Sequence, residues 1–132
     1  MKTLTIPATL DSLKTIREFV MAAAGAAGLD KKTAYRLRLG VDEIATNAIV
    51  HGGCEEILYI YAAIDEQTLR IILEDRGIPY DPHQTPLLDD FDLPLEERQT
   101  GGLGIYLTLQ GIDEFFYERD GDWNRITFVM KR

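Results

Sequence analysis

The 132-residue sequence is poor in the side chains on which several common chemistries depend. A single cysteine, Cys54, excludes an internal disulfide and agrees with a reducing compartment. Ser12 is the only serine, which argues against a serine-based catalytic triad. The two histidines, His51 and His83, have no second cysteine or histidine at metal-ligand spacing, so no zinc site is predicted.

The chain also lacks basic clusters and long apolar runs. Its 14 Lys and Arg against 22 Asp and Glu give a net charge of −8, and adjacent cations occur only at Lys31-Lys32 and Lys131-Arg132. Nucleic-acid binding normally needs a basic stripe, so no direct nucleic-acid partner is expected. No apolar run approaches the roughly 18 residues of a membrane span, and Met1 to Thr9 lacks the pattern of a signal peptide. We therefore expect a cytoplasmic protein without a membrane partner.

What is present is typical of one globular domain spanning residues 1–132, with 45% hydrophobic and 27% charged residues. Alternation and helical periodicity predict the element order β-α-α-β-β-lid-α-β-β. The order predicts a two-layer α/β (α+β) sandwich, with helices on one face of a mostly antiparallel mixed sheet. The predicted elements are a strand over Met1 to Ile6, a helix from Thr9 or Asp11 to Gly28, a helix capped by Asp30 that ends at Gly52-Gly53, a hairpin of Ile57 to Ile64 and Thr68 to Glu74, a helix from Leu103 to about Gly111, and strands over Asp113 to Glu118 and Arg125 to Met130.

The segment from Gly77 to Thr100 has no clear periodicity. It contains four of the five prolines, and its stretch from Leu87 to Arg98 has five acidic residues against one basic residue. A loop this long in a small domain is usually an active-site lid or a disordered segment. We interpret residues 77–100 as a lid.

Three polar elements could carry chemistry. Glu43 and Asn47 are one turn apart on the second helix, either as a solvated polar edge or facing a shared pocket, and His51 follows one turn later. Asp75 and Gly77 follow an apolar strand, either as an acidic turn or as a place where a ligand amine meets a carboxylate. The glycines of Gly101 to Gly104 open a helix, where they either make a lid flexible or leave backbone N–H groups free to bind phosphate.

Together and in this order, the three elements resemble the N box and the two glycine boxes of the histidine-kinase-like (GHKL-type) ATPases. The segments LGVDEIATNAIVHGG, LEDRGIPYDP and TGGLGIYL, followed by NRITFVMKR, are most similar to bacterial anti-sigma-factor serine/threonine kinases. The resemblance covers roughly residues 4–132. A sensor histidine kinase would also need a helical phospho-acceptor domain, for which this sequence has no residues.

The resemblance implies a role for each matching residue. Asn47 would be the Mg²⁺ ligand and Glu43 the catalytic base that accepts the proton of the attacking hydroxyl. Asp75 would bind the adenine amino group with Gly77 beside it. The triphosphate would be lined by residues of the second glycine box, namely Gly101, Gly102, Leu103 and Gly104.

The resemblance thus implies an Mg²⁺–ATP-dependent serine/threonine protein kinase of the partner-switching type. Its substrate would be a small anti-anti-sigma (antagonist) protein, a sigma factor would be a second candidate partner, and a homodimer is one candidate assembly. Two alternatives stay open: a nucleotide-gated binding protein without useful phosphoryl transfer, and an ATPase or kinase subunit detached from a larger signalling system.

Four features are left without a settled role. Pro79 replaces a glycine that many relatives have in the first box, which stiffens the turn. Arg98 is either a γ-phosphate contact or a solvated charge, and Thr127 either approaches adenine or only alternates in its strand. The alanine-rich stripe of the first helix is either a dimer interface or part of the core.

Overall fold

The structure is a computed structural model that describes residues 1–50, 56–79 and 110–132. Two helices and five strands lie in these ranges, and a short 3₁₀ turn, Leu10–Ser12, precedes the first helix. Most of the predicted third helix and nearly all of the predicted lid fall outside the described residues. The elements are β1 (Lys2–Pro7), α1 (Leu13–Ala26), α2 (Lys31–Val50), β2 (Ile57–Ile64), β3 (Thr68–Asp75), β4 (Glu114–Asp120) and β5 (Trp123–Lys131).

The five strands form one sheet in the order β1-β2-β3-β5-β4. Every pairing among them is antiparallel, so this sheet is more uniform than the mostly antiparallel, mixed sheet expected. One face of β2, β3 and β5 shares a single core with both helices, which confirms the two-layer fold class. Buried and exposed side chains alternate along each strand, as expected for a sheet with only one face packed against helices. Each fully buried Leu, Ile or Phe side chain on the core face contributes about 1.5–3 kcal/mol to the stability of the fold. These side chains include Leu58, Ile60, Leu69, Ile71, Leu73, Ile126 and Phe128.

The start of α1 differs from the prediction that Thr9 or Asp11 caps it. The chain makes a 3₁₀ turn first, in which the Ser12 N–H donates to the Thr9 carbonyl at 3.0 Å, and α1 begins only at Leu13. Neither the turn nor α1 has a side-chain cap hydrogen bond. The Thr9 and Ser12 hydroxyls instead lie 3.3 Å from each other.

The junction between α1 and α2 follows the sequence prediction. Gly28 has a φ of +76°, and the N–H groups of Leu29 and Gly28 donate to the carbonyls of Ala24 and Gly25. This is the Schellman arrangement that ends a helix at a left-handed glycine. Asp30 then caps α2, because its carboxylate accepts from the Thr33 N–H at 2.7 Å.

The alanine-rich stripe of α1 belongs to the core. Ala23, Ala24 and Ala27 are buried against the same cluster as the sheet residues. This resolves the alternative left open by the sequence: the stripe is not exposed as a dimer interface. On the outer side of the helix layer, Arg17 of α1 makes two hydrogen bonds to the Asp42 carboxylate of α2.

Candidate functional site

Asp75, the last residue of β3, is the centre of a buried polar network. It has the same alternation phase as Leu69, Ile71 and Leu73, so its side chain faces the helices and is only 3% exposed. Its Oδ1 accepts from the Gly77 N–H at 2.7 Å and from Asn124 Nδ2 at 3.0 Å. Within the described ranges, no hydrogen bond is made to Oδ2.

Asn124 of β5 lies directly opposite Asp75 in the sheet and holds it from the side. Its Nδ2 donates both to Asp75 and, at 2.8 Å, to the Ile78 carbonyl. Its Oδ1 accepts from the Tyr117 hydroxyl at 2.7 Å. Both ends of this buried amide therefore make hydrogen bonds, two from Nδ2 and one to Oδ1, which fixes its orientation.

The turn after β3 is held by the β4–β5 hairpin. Arg119 donates from Nη1 to the Gly77 carbonyl at 2.7 Å and from Nε to the Gly121 carbonyl at 2.9 Å. The guanidinium of Arg76 lies over the ring of Trp123, 4.5 Å from its centroid. Together with Asn124, these contacts make the turn a preformed wall beside Asp75.

Asn47 supplies the polar group on the helix side. It lies three residues after the buried Ile44 on α2 and is 8% exposed. Its Nδ2 is buried and has no hydrogen-bond partner within the residues the structure describes. A buried amide without a partner costs about 1–3 kcal/mol, so a polar ligand at this position would recover free energy.

A narrow pocket brings Asn47 and Asp75 together between α2 and the sheet. The space open to a water-sized sphere is about 20 Å³, room for about one water molecule. The described lining combines three polar side chains with four apolar ones, namely Asn47, Asp75 and Asn124 with Ile44, Ala48, Ile78 and Ile126.

Glu43 lies one turn before Asn47 on α2 and is half-buried. Burial raises the pKa of its carboxyl group above the ordinary value, and the negative charge of neighbouring Asp42 raises it further. A carboxylate with a raised pKa is a stronger base than an exposed glutamate. Glu43 is thus chemically suited to accept a proton close to the Asn47 end of the pocket.

The structure joins some of the sequence-predicted residues and leaves others outside its described ranges. Asn47 and Asp75 line one pocket, and the Gly77 N–H donates a hydrogen bond to Asp75. Glu43 precedes Asn47 by one turn of α2. Thr127 pairs with Ile72 and Phe116. It alternates with Ile126, so its side chain lies on the face of the sheet opposite to that of Asn124 and Ile126, away from the pocket. Residues outside the described ranges are His51, Arg98, Gly101, Gly102, Leu103 and Gly104.

Sequence reasoning missed Asn124 and its supports, Tyr117 and Arg119. A usable signal existed for Asn124, because it has the same alternation phase as the apolar Ile126, Phe128 and Met130 and is therefore a polar residue on the core face. Tyr117 and Arg119 gave no such signal, since their partners depend on how β4 and β5 pair.

The donor set around Asn47 fits a magnesium ion held mainly by a nucleotide. The described part of the chain has no group of three or more His, Cys, Asp or Glu side chains that could hold a metal ion. Mg²⁺ prefers oxygen ligands and commonly takes one or two from protein and the rest from phosphates and water. The amide of Asn47 carries one such oxygen, Oδ1, which suits that pattern.

A buried carboxylate at a strand end and an asparagine on the covering helix thus line one pocket together with apolar side chains. The sequence profile of the histidine kinase-like ATPase domain matches residues 6–130, and the chain belongs to that family. Membership implies ATP binding. The serine-protein kinases RsbW of Staphylococcus aureus strains bovine RF122 / ET3-1 and MRSA252 are each 27% identical over 135 residues, covering 96% of this chain and 85% of the relative.

Two solved structures share the fold. The RsbU and RsbW domains of Rv1364c from Mycobacterium tuberculosis match with a TM-score of 0.64 and 16% identity, over 100% of this chain and 33% of that one. This chain thus spans about a third of the chain in that structure. The Acinetobacter baumannii histidine kinase AdeS matches with a TM-score of 0.54 and 13% identity, over 99% and 68% of the two chains. Within its described ranges, the protein has no helix long and apolar enough to cross a membrane.

Proposed function

We propose that the protein is an Mg²⁺–ATP-dependent serine/threonine kinase of the anti-sigma-factor type that phosphorylates a small anti-anti-sigma (antagonist) protein. The observation that carries the proposal is the meeting of Asn47 and Asp75, from separate motifs, in one pocket. The naming of 27% identical relatives as serine-protein kinases supports the reaction type. A sigma factor is the second partner we propose, and the cytoplasm, where ATP is abundant, is the proposed location.

In this proposal Asp75 recognises the base. Its Oδ1 is engaged by Gly77 and Asn124, so Oδ2 accepts from the exocyclic amine of adenine. The apolar side chains of Ile44, Ile78 and Ile126 flank the ring. A site that pairs an amine with a buried carboxylate rejects a base that lacks the amine, because the carboxylate is then left without a partner. Guanine, with a carbonyl in that position, is therefore disfavoured.

Asn47 would hold the metal ion at the phosphate end, and a bound Mg²⁺ would neutralise charge on the β- and γ-phosphates. Glu43, one helical turn away and with a raised pKa, accepts the proton of the attacking serine or threonine hydroxyl. Gly101, Gly102, Leu103 and Gly104 are proposed to line the triphosphate under a lid formed by residues 77–100. Closure of a lid excludes water and so favours transfer to a protein hydroxyl over hydrolysis.

The test is phosphoryl transfer to purified antagonist proteins encoded by the same genome, each incubated with the protein, Mg²⁺ and ³²P-labelled ATP. The wild type is expected to label one of them on serine or threonine, located by mass spectrometry. Glu43→Gln is expected to transfer at least about 100-fold more slowly while binding ATP normally. Equal labelling by Glu43→Gln, or no labelling with the wild type, contradicts the proposal. ATP binding that changes partner affinity without any phosphoprotein indicates instead a nucleotide-gated binding protein.

A further inference from the structure

The first half of α2 carries a concentration of positive charge that the proposed chemistry does not use. Residues 31–41 include four cations and no acidic residue, in a chain whose net charge is −8. Neighbouring Asp30 is already engaged as the cap of α2. Within the described ranges, no carboxylate lies within ion-pair distance of any of the four cations, which are Lys31, Lys32, Arg36 and Arg38.

Two large side chains are exposed among these cations. Tyr35 is 50% exposed and Leu39 is 44% exposed, although Leu37 between them is fully buried. The guanidinium of Arg38 lies 4.8 Å from the centroid of the Tyr35 ring, which holds the ring in place. Exposed Tyr and Arg are the residue types that most often dominate the binding energy of protein interfaces.

The exposed side chains of Tyr35 and Leu39 lie on the same side of α2 as Glu43, the proposed base. Tyr35, Leu39 and Glu43 are four residues apart in turn, so they follow one another along the same side of α2. With a rise of about 1.5 Å per residue, Leu39 is about 6 Å and Tyr35 about 12 Å from Glu43 along the helix axis. A protein whose hydroxyl reaches Glu43 would therefore cover these side chains as well. We call Lys31, Lys32, Tyr35, Arg36 and Leu39 the α2 face.

We propose that the α2 face is the docking surface for the protein substrate, and that it binds an acidic patch beside the substrate's acceptor serine or threonine. This inference rests on the proposed function and names what that function leaves open, the chemistry by which the substrate is selected. Cations without an ion-pair partner among the described residues favour an acidic surface, and the exposed Tyr35 and Leu39 favour a protein surface over a phosphate backbone. Opposite charge also speeds the encounter, so binding weakens as salt is added.

The test compares two charge-reversed variants of equal net charge. In Lys31→Glu/Lys32→Glu the α2 face loses its first two cations, and folding is preserved because acidic residues are favourable in the first turn of a helix. The control is Lys2→Glu/Lys131→Glu, whose exposed side chains lie in the sheet, in β1 and β5. A third variant, Leu39→Ala, shortens an exposed side chain to a good helix former.

Each variant is assayed for transfer to the purified antagonist protein that the wild type labels, with ATP affinity measured by calorimetry. The double variant on the α2 face is expected to raise KM for the antagonist about tenfold, and Leu39→Ala about threefold. In both variants kcat and ATP affinity are expected to stay unchanged. The control pair is expected to match the wild type. The KM effect of the double variant is expected to shrink as salt rises.

Other outcomes overturn the inference in distinguishable ways. Transfer with an unchanged KM in the α2-face variants overturns the docking surface and leaves the kinase proposal standing. No transfer to any antagonist by the wild type overturns both. If the α2-face variant instead loses affinity for a short random-sequence DNA duplex that the wild type binds, while transfer is unaffected, the face serves a nucleic acid and the inference is wrong.

Discussion

Replacing Asn124 with aspartate changes one amide nitrogen to oxygen at the centre of the polar network. Asn124 Nδ2 lies 3.0 Å from Asp75 Oδ1, so the variant brings two carboxylates together. At that separation two unit charges repel by about 5.5 kcal/mol at an effective dielectric constant of about 20. The Ile78 carbonyl also loses a donor, worth about 1 kcal/mol. Allowing for relaxation, we expect the free energy of unfolding at pH 7 to fall by about 3–5 kcal/mol.

The pH dependence separates repulsion from simple loss of hydrogen bonds. Two carboxylates that share a site raise the folded-state pKa of one of them above its unfolded value. The stability of the variant is therefore retained below the unfolded pKa and lost as pH rises through the folded one. We expect its deficit relative to wild type to shrink to about 1–2 kcal/mol near pH 4, where one protonated carboxyl can donate to the other.

Urea unfolding at several pH values between 4 and 8 measures this difference. Asn124→Ala is the matched control, because it removes the same hydrogen bonds without adding a charge, and its deficit is expected to be nearly independent of pH. If the Asn124→Asp deficit is also independent of pH, the two side chains are not in contact and the network described around Asp75 is wrong.

Two further predictions concern the proposed base and the end of α1. Burial and the charge of Asp42 raise the pKa of Glu43, so the acid limb of the pH–kcat profile is expected at a higher pH than an ordinary glutamate would give. Glu43→Gln is expected to abolish this limb. An acid limb at the pH of an ordinary glutamate would count against Glu43 as the base. Gly28→Ala is expected to lower the free energy of unfolding, measured in urea, by about 1 kcal/mol, because Gly28 has a φ of +76°. Gly25 lies inside α1 and is equally free of contacts, so Gly25→Ala is expected to raise the free energy of unfolding by about 0.5–1 kcal/mol. Effects of the same sign contradict this account.

The fold was largely predictable because its elements are amphipathic and their ends are marked by local chemistry. The spacing of Leu37, Val41 and Ile44 identifies α2, and Asp30 and Gly28 mark the helix junction without any tertiary information. Where local signals conflict, prediction failed: Thr9 and Asp11 are both good cap residues, but a 3₁₀ turn, Leu10–Ser12, follows Thr9 and contains Asp11. The start of β5 at Trp123, before the predicted Arg125, depends on its pairing with Asp120.

The site was predictable only where a motif is contiguous in the sequence. Asn47 and Asp75 could be singled out because each lies in its own short motif, and the structure places both in the lining of one pocket. Asn124, Tyr117 and Arg119 act through partners in other strands, so their roles depend on the register between β3, β4 and β5. Such long-range pairing is set by the packed core as a whole, and a single sequence does not display it.

The most direct test of the nucleotide site is calorimetric titration of the wild type and Asn47→Ala with ATP and ADP, with and without Mg²⁺. Asn47 Nδ2 has no hydrogen-bond partner in the described residues, so replacing Asn47 with alanine breaks no hydrogen bond of that nitrogen there, and the variant is expected to stay folded. We predict micromolar binding by the wild type that is tighter with Mg²⁺, and loss of this Mg²⁺ dependence in the folded variant. A folded wild type that binds neither nucleotide would contradict the account.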